Sequence, residues 1–280
     1  MTDSADERRN LEALLRSPSY RLAYTDVDFL TGPEMRSARM QLEFLKPELT
    51  FQQRHIHSTI VVFGNTRIVE PAEAGRRLEE ARARLSEKPD DARRQRRVSQ
   101  AERIVAKSRY YEVAREFARL VVKNGCNGGQ CAFVVMTGGG PGIMEAANRG
   151  AFESGAPSIG LNISLPMEQQ PNRFITPDLC FQFHYFAIRK FHFLLRAMAL
   201  VVFPGGFGTL DEMFEVLTLR QTGRMQHIPI ILVGKEFWTR AVDFHFLADE
   251  GTISDEDLNL FEIVDTAADA WEIIRQFHHL

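Results

Sequence analysis

The residues best suited to chemistry in this 280-residue chain sit in two glycine-rich turns and one basic pair. Pro204-Gly205-Gly206-Phe207-Gly208-Thr209-Leu210-Asp211-Glu212 sets three glycines and a threonine directly ahead of two carboxylates. Glycines let a backbone turn tightly and approach a ligand with no Cβ in the way. Thr209 suits a helix N-cap, and Leu210 to Arg220 has apolar residues at helical spacing, which predicts a helix opening on the turn. Backbone N–H groups at such a helix start point at one spot, and phosphate is the usual occupant. Asp211 and Glu212 then fall in the first helical turn, where the dipole favours negative charge. That accounts for Asp211. A phosphate repels a carboxylate, so Glu212 needs another reason to be there, and function is the better one.

The second turn is Thr137-Gly138-Gly139-Gly140-Pro141-Gly142, followed by a helical stretch from Ile143 to about Glu153. It is no dinucleotide fingerprint, because the glycine spacing fails at Ile143, and it lacks the Lys-Ser/Thr of a Walker loop. Two such turns favour a mononucleotide or a sugar phosphate. The basic pair, Arg189-Lys190, lies in the first turns of a predicted helix, Phe186 to Met198, where positive charge opposes the dipole. Either Arg189 faces an anion or an electron-rich base, or it is a surface arginine paired with a carboxylate. Arg67 follows the first convincing strand through Asn65 and Thr66. It either touches an anion or is a solvated loop arginine.

These residues need strands to position them, and the apolar runs supply seven: 58–64, 132–136, 158–163, 180–183, 199–203, 229–233 and 260–264. Such short runs suit strands buried on both faces of a parallel sheet. Helical patterns alternate with them at 71–85, 99–123, 143–153, 186–198, 210–220, 236–249 and 267–277. The alternation predicts an α/β fold, a doubly wound Rossmann-like parallel sheet of about seven strands flanked by helices. Residues 1–50 read as an N-terminal helical extension broken by Pro18, Pro33 and Pro47, and 51–280 as one domain. An arginine-rich insertion near 86–98 interrupts that domain as a charged break. With acidic neighbours and no interleaved aromatics, it reads as a solvated face rather than a nucleic-acid patch.

Net charge is −3, so nothing asks for nucleic acid or a membrane. No apolar run approaches a membrane span, and the polar start, MTDSADERRN, is unlike a signal peptide, which points to the cytoplasm. Cys126, Cys131 and Cys180 form no even disulfide framework, and Cys126 and Cys131 lack the second pair of a zinc site. They read as small semi-apolar residues. The eight histidines are scattered, and His192 reads as a packing residue.

Taken together, the motifs resemble the LONELY GUY family. Pro204 to Glu212 matches its P-G-G-x-G-T-x-x-E signature, Arg189-Lys190 its R-K motif, and Thr137 to Glu145 its other glycine-rich motif. The match runs from about Thr59 to the C-terminus, leaving the N-terminal helices and the arginine-rich insertion outside. The chain departs from the family at Gly64-Asn65-Thr66-Arg67, where serines are common.

The resemblance implies a nucleoside 5′-monophosphate phosphoribohydrolase, releasing a free base and ribose 5-phosphate from AMP or a cytokinin ribotide. It implies no cofactor and no metal, and a homodimer or larger assembly with shared sites. Arg189 and Glu212 would be catalytic. Gly205, Gly206, Gly208 and Thr209 would hold the phosphate, and Gly138, Gly139, Gly140 and Gly142 would line the crevice, with Asn172, Lys190 and Arg67 as further binding residues. Besides a regulatory or scaffolding role, which the sequence neither supports nor excludes, two other readings stay open. Molybdenum-cofactor carrier proteins share the fold and related loops, so a non-catalytic carrier is one. The family's older lysine decarboxylase label is the other; it needs pyridoxal phosphate on Lys46, Lys88, Lys107, Lys123, Lys190 or Lys235, none of which has a recognisable cofactor setting.

Overall fold

The computed structural model describes residues 4–127, 130–165 and 170–280, with only the backbone at 126, 127, 130 and 131. The side chains of Cys126 and Cys131 therefore lie outside the described residues. The chain divides into two units, Met1–Lys46 and Pro47–Leu280.

In the first unit, α1 (Ala5–Arg16) begins with a capping box in which Ser4 and Glu7 satisfy each other's backbone N–H. Its Leu11, Leu14 and Leu15 are exposed. A short α2 (Val27–Thr31) follows, and then α3 (Arg36–Gln53), which runs on into the second unit. Pro47, expected as a breaker, lies inside α3 and is buried with Phe51. That burial offsets the one helical hydrogen bond that proline cannot donate.

The second unit is built on seven parallel strands: β1 (Thr59–Phe63), β2 (Val134–Thr137), β3 (Ser158–Ile163), β4 (Cys180–Phe183), β5 (Ala197–Val202), β6 (Ile230–Val233) and β7 (Glu262–Val264). Their order is β4-β3-β2-β1-β5-β6-β7, so this is the expected doubly wound α/β sheet. Ile60 of β1 stands opposite Val135 on one side and Ala199 on the other. The central strands are buried throughout, as their unbroken apolar runs require. The chain winds outward from β1 to β4, then returns to lay β5 on the other side of β1. In such sheets the ligand crevice lies where the winding reverses, at the carboxyl ends of the two strands, here β1 and β5.

Helices cover both faces. On one, Ile60, Val62, Val135, Val201 and Ile231 pack against α6 (Arg109–Gly125), α7 (Ile143–Glu153) and α12 (Ala267–Phe277). On the other, Phe63 meets Phe193 of α8 (Phe186–Leu194) edge to face, with ring centroids 4.8 Å apart.

Helical boundaries differ from the sequence reading at several points; the helix expected over 186–198 ends at Leu194, because the chain enters β5 at Ala197. After α4 (Pro71–Ser86), the charged break closes early: Asp91 accepts from the Arg93 and Arg94 N–H groups and starts α5 (Ala92–Lys107). The single helix expected over 99–123 is two, divided at Ser108, whose hydroxyl and N–H both bond the Val105 carbonyl. The helix expected over 236–249 is likewise α10 (Lys235–Ala241) and α11 (Phe244–Asp249), with Asp243 capping the second. No described helix is long and apolar enough to cross a membrane.

Candidate active site

The signature turn folds differently in detail from its sequence reading. Gly206, not Thr209, is the N-cap of α9 (Phe207–Gln221), and no side chain accepts from the helix's first turn. Thr209 lies three residues inside, its N–H bonding the Gly206 carbonyl at 3.0 Å. The early start depends on Gly205. A Cβ there would lie 2.1 Å from the Thr209 hydroxyl, so only glycine lets that side chain fold back onto the turn. Asp211 and Glu212 consequently sit in the second helical turn, beyond the strongest reach of the dipole. Asp211 is held instead by Lys190, Nζ to Oδ2 at 2.8 Å.

The turn opens into a cavity of about 610 Å³ at the carboxyl ends of β1 and β5, within the usual size range of small-molecule sites. Of the residues singled out from sequence, it gathers Arg67, Gly138, Arg189, Gly206, Gly208, Thr209 and Glu212. Cβ atoms at Gly206 and Gly208 would meet nothing within 4 Å, so packing does not explain these glycines. Room for a ligand does.

The other candidates do not line it. Gly142 has φ +73°, and a Cβ would lie 2.4 Å from the Asn65 carbonyl, so it serves to join the second turn to the loop after β1. The same carbonyl accepts the first N–H of α7, which closes that helix start to an anion. Gly139 packs on Asn162. Asn172 is buried and donates to the Gly140 carbonyl (3.1 Å) and to Asn148 Oδ1 (2.9 Å), fixing the glycine loop from behind. Gly205 lines a neighbouring cavity. Lys190 is taken up by Asp211 and by Glu215 at 3.0 Å.

Arg189 of α8 and Glu212 of α9 meet in the cavity, Nη2 to Oε1 at 3.6 Å, too far for a hydrogen bond. Glu212 is only 4% exposed. Burial drives its carboxyl up to about 7, against the opposing pull of Lys190 and Arg189. Arg189 lies between the Phe186 and Phe193 rings, its carbon 5.2 and 5.4 Å from their centroids. Its Nε is buried with no hydrogen-bond partner among the described residues. Burial lowers its pKa, but an arginine stays charged. For Lys190, burial works against the charge, and Asp211 and Glu215 outweigh it to leave the pKa raised.

Sequence reasoning passed over Asn162 and the aromatic lining, Phe186, Phe193 and Phe207. Asn162 had a readable signal, being polar near the carboxyl end of a buried strand. Phe186 and Phe193 had none, since an aromatic at helical spacing reads as core; Phe207 had one, standing between two glycines of the signature turn. His192 packs as expected, buried beside Phe51 and Phe183.

Comparison with known proteins agrees with the motifs. Residues 144–274, which include Arg189, Lys190 and the whole signature turn, match the family described as possible lysine decarboxylase. A rice protein (Oryza sativa subsp. japonica), named probable cytokinin riboside 5′-monophosphate phosphoribohydrolase LOGL3, is 24% identical over 183 residues, covering 61% of this chain and 78% of its own. The chain is thus similar to both over the stretch that carries the motifs. Among solved structures, the structural-genomics target TM1055 is 20% identical with a TM-score of 0.46, covering 78% of this chain and 99% of its own. The molybdenum cofactor binding protein of the phototrophic bacterium Rippkaea orientalis is 20% identical with a TM-score of 0.44, covering 60% and 87%.

Proposed function

We propose that this protein hydrolyses the N-glycosidic bond of a nucleoside 5′-monophosphate, releasing a free base and ribose 5-phosphate. The observation that carries the reading is the buried Glu212 facing Arg189 inside a cavity that also holds the uncapped start of α9. The first N–H groups of α9, with Thr209, take the 5′-phosphate. Breaking the bond leaves C1′ cation-like and sends the electron pair to the base nitrogen, so opposite charges must be stabilised a few ångströms apart. Glu212, when ionised, faces C1′ and the ribose hydroxyls, as a glycosidase carboxylate does. Arg189 donates to the departing base through hydrogen bonds it lacks in the free protein. Water supplies the hydroxyl to C1′ and the proton to the base.

No lysine is among the cavity's lining residues, which weighs against a decarboxylase that forms a Schiff base there. The homo-oligomer implied by the resemblance belongs to the same proposal, and light scattering after size exclusion tests it. The activity is tested by incubating the protein with AMP, GMP, CMP, UMP and isopentenyladenosine monophosphate, with Glu212→Gln as control. Base and ribose 5-phosphate should appear with the wild type alone. Binding of these nucleotides with no release from any would overturn the hydrolase and favour a carrier.

A further inference from the structure

A second cavity, of about 510 Å³, lies on the other side of the loop that follows β1. Asn65 and Arg67 line both cavities, so that loop is the wall between them. The second cavity collects Arg67, Arg77, Arg103 and Lys107, and among the described residues no carboxylate lines it. Arg77 is paired with Glu73, but among the described residues no ion pair engages Arg67, Arg103 or Lys107. Through Arg103 and Lys107 it continues into a further hollow that adds Arg109 and Arg240, with Glu236 as its one carboxylate. This concentration of cations stands in a chain whose net charge is −3. Like charges gathered without partners repel one another, and a bound anion relieves that repulsion. The rest of the wall is apolar, with Ile68, Ile104, Pro204 and Phe237.

We propose that this cavity is a second ligand site, for a small organic phosphate carrying at least two negative charges and a flat apolar portion, of the kind a nucleoside diphosphate presents. The phosphates lie on Arg103, Lys107 and Arg67, and the ring on the apolar wall by Phe237. Arg103 and Lys107 come from α5, which lies wholly outside residues 144–274, the stretch that the family model matches. It stands independently of the glycosidase reading, since neither Arg103 nor Lys107 lines the first cavity.

The test is calorimetric titration of the full chain with inorganic pyrophosphate and with ADP, at low salt. The proteins are the wild type, Arg103→Gln/Lys107→Gln, and the control Arg96→Gln/Arg97→Gln, which removes two exposed charges elsewhere on α5. The Arg103/Lys107 variant should lose one equivalent of binding, or bind it at least about tenfold more weakly, the worth of losing charge-assisted contacts. The control should bind as the wild type does, and ADP should bind this site more tightly than pyrophosphate. Unchanged binding in the Arg103/Lys107 variant overturns the proposal, as does an equal loss in the control, which would mean diffuse attraction only. If the double variant proves unstable by its melting temperature, Arg103→Gln alone carries the test, since Arg103 is exposed.

Discussion

Replacing Glu212 with glutamine should stabilise the protein at alkaline pH and do nothing at acid pH. The free carboxyl ordinarily titrates near 4.5, and burial in the folded protein raises it to about 7. Below the lower value both states are protonated and the group contributes nothing. Between the two, the folded state holds more protons than the unfolded one, so stability falls as pH rises. Above the folded value the full penalty stands, about 3 kcal/mol. Glutamine approximates the neutral acid and escapes this penalty. The variant's melting temperature should therefore exceed that of the wild type by about 6–12 °C near pH 8, and match it near pH 4–5. The assay is thermal unfolding of both proteins across that range, with turnover of AMP measured in parallel. The wild type should gain activity as Glu212 ionises near neutral pH, and the variant should have none. If the two melting curves run parallel from acid to alkaline pH, Glu212 is not a carboxyl forced into a dry site, and the electrostatic reasoning fails.

Three further outcomes separate the roles of neighbouring residues. Arg189→Lys should lose at least about a hundredfold in kcat for base release, because a lysine keeps the charge but not the fork of donors set between Phe186 and Phe193. Gly208→Ala should melt like the wild type, since its new methyl meets nothing, yet raise KM for the nucleotide; Gly205→Ala should instead be destabilised by roughly 1–3 kcal/mol through its clash with Thr209. Asn172→Ala should cost about 1–3 kcal/mol in denaturant titration by taking the Asn172 donor from the Gly140 carbonyl and leaving Asn148 Oδ1 with the Thr137 hydroxyl alone, with kcat of the folded fraction close to wild type.

The strand pattern was legible because parallel strands buried on both faces must be continuous apolar runs, and runs such as Thr59–Phe63 and Ile230–Val233 have no other explanation at that length. Helix ends were less so. Ser108 divides α5 from α6 through its own hydroxyl, a local competition that leaves the apolar spacing on either side intact. Pro47 stays within α3 because burial overrides the breaker. In the site, residue types named Arg189 and Glu212 but could not show which glycines face a ligand. The signature turn and the Gly138–Gly142 turn look equivalent in sequence. Only tertiary contacts distinguish them: the Asn65 carbonyl closes the start of α7, while the start of α9 stays open.

The chain carries its own control for reading Arg189 and Glu212 as more than a structural ion pair. Glu48 and Arg196 show what a structural pair looks like here: two contacts at 2.5 and 2.9 Å, with a third Arg196 nitrogen on the Ile56 carbonyl. Those hydrogen bonds from Arg196 hold the Glu48 carboxyl below its ordinary value, so the pair stabilises the fold. Arg189 and Glu212 are drier and further apart, and both pKa values move against the charged forms, down for the guanidinium and up for the carboxyl. Evolution toward stability alone would close that gap or replace both groups with apolar ones. A pair left buried, close and without a mutual hydrogen bond keeps unused hydrogen-bonding capacity in the cavity, which suits the proposed substrate, with opposite charges developing on sugar and base.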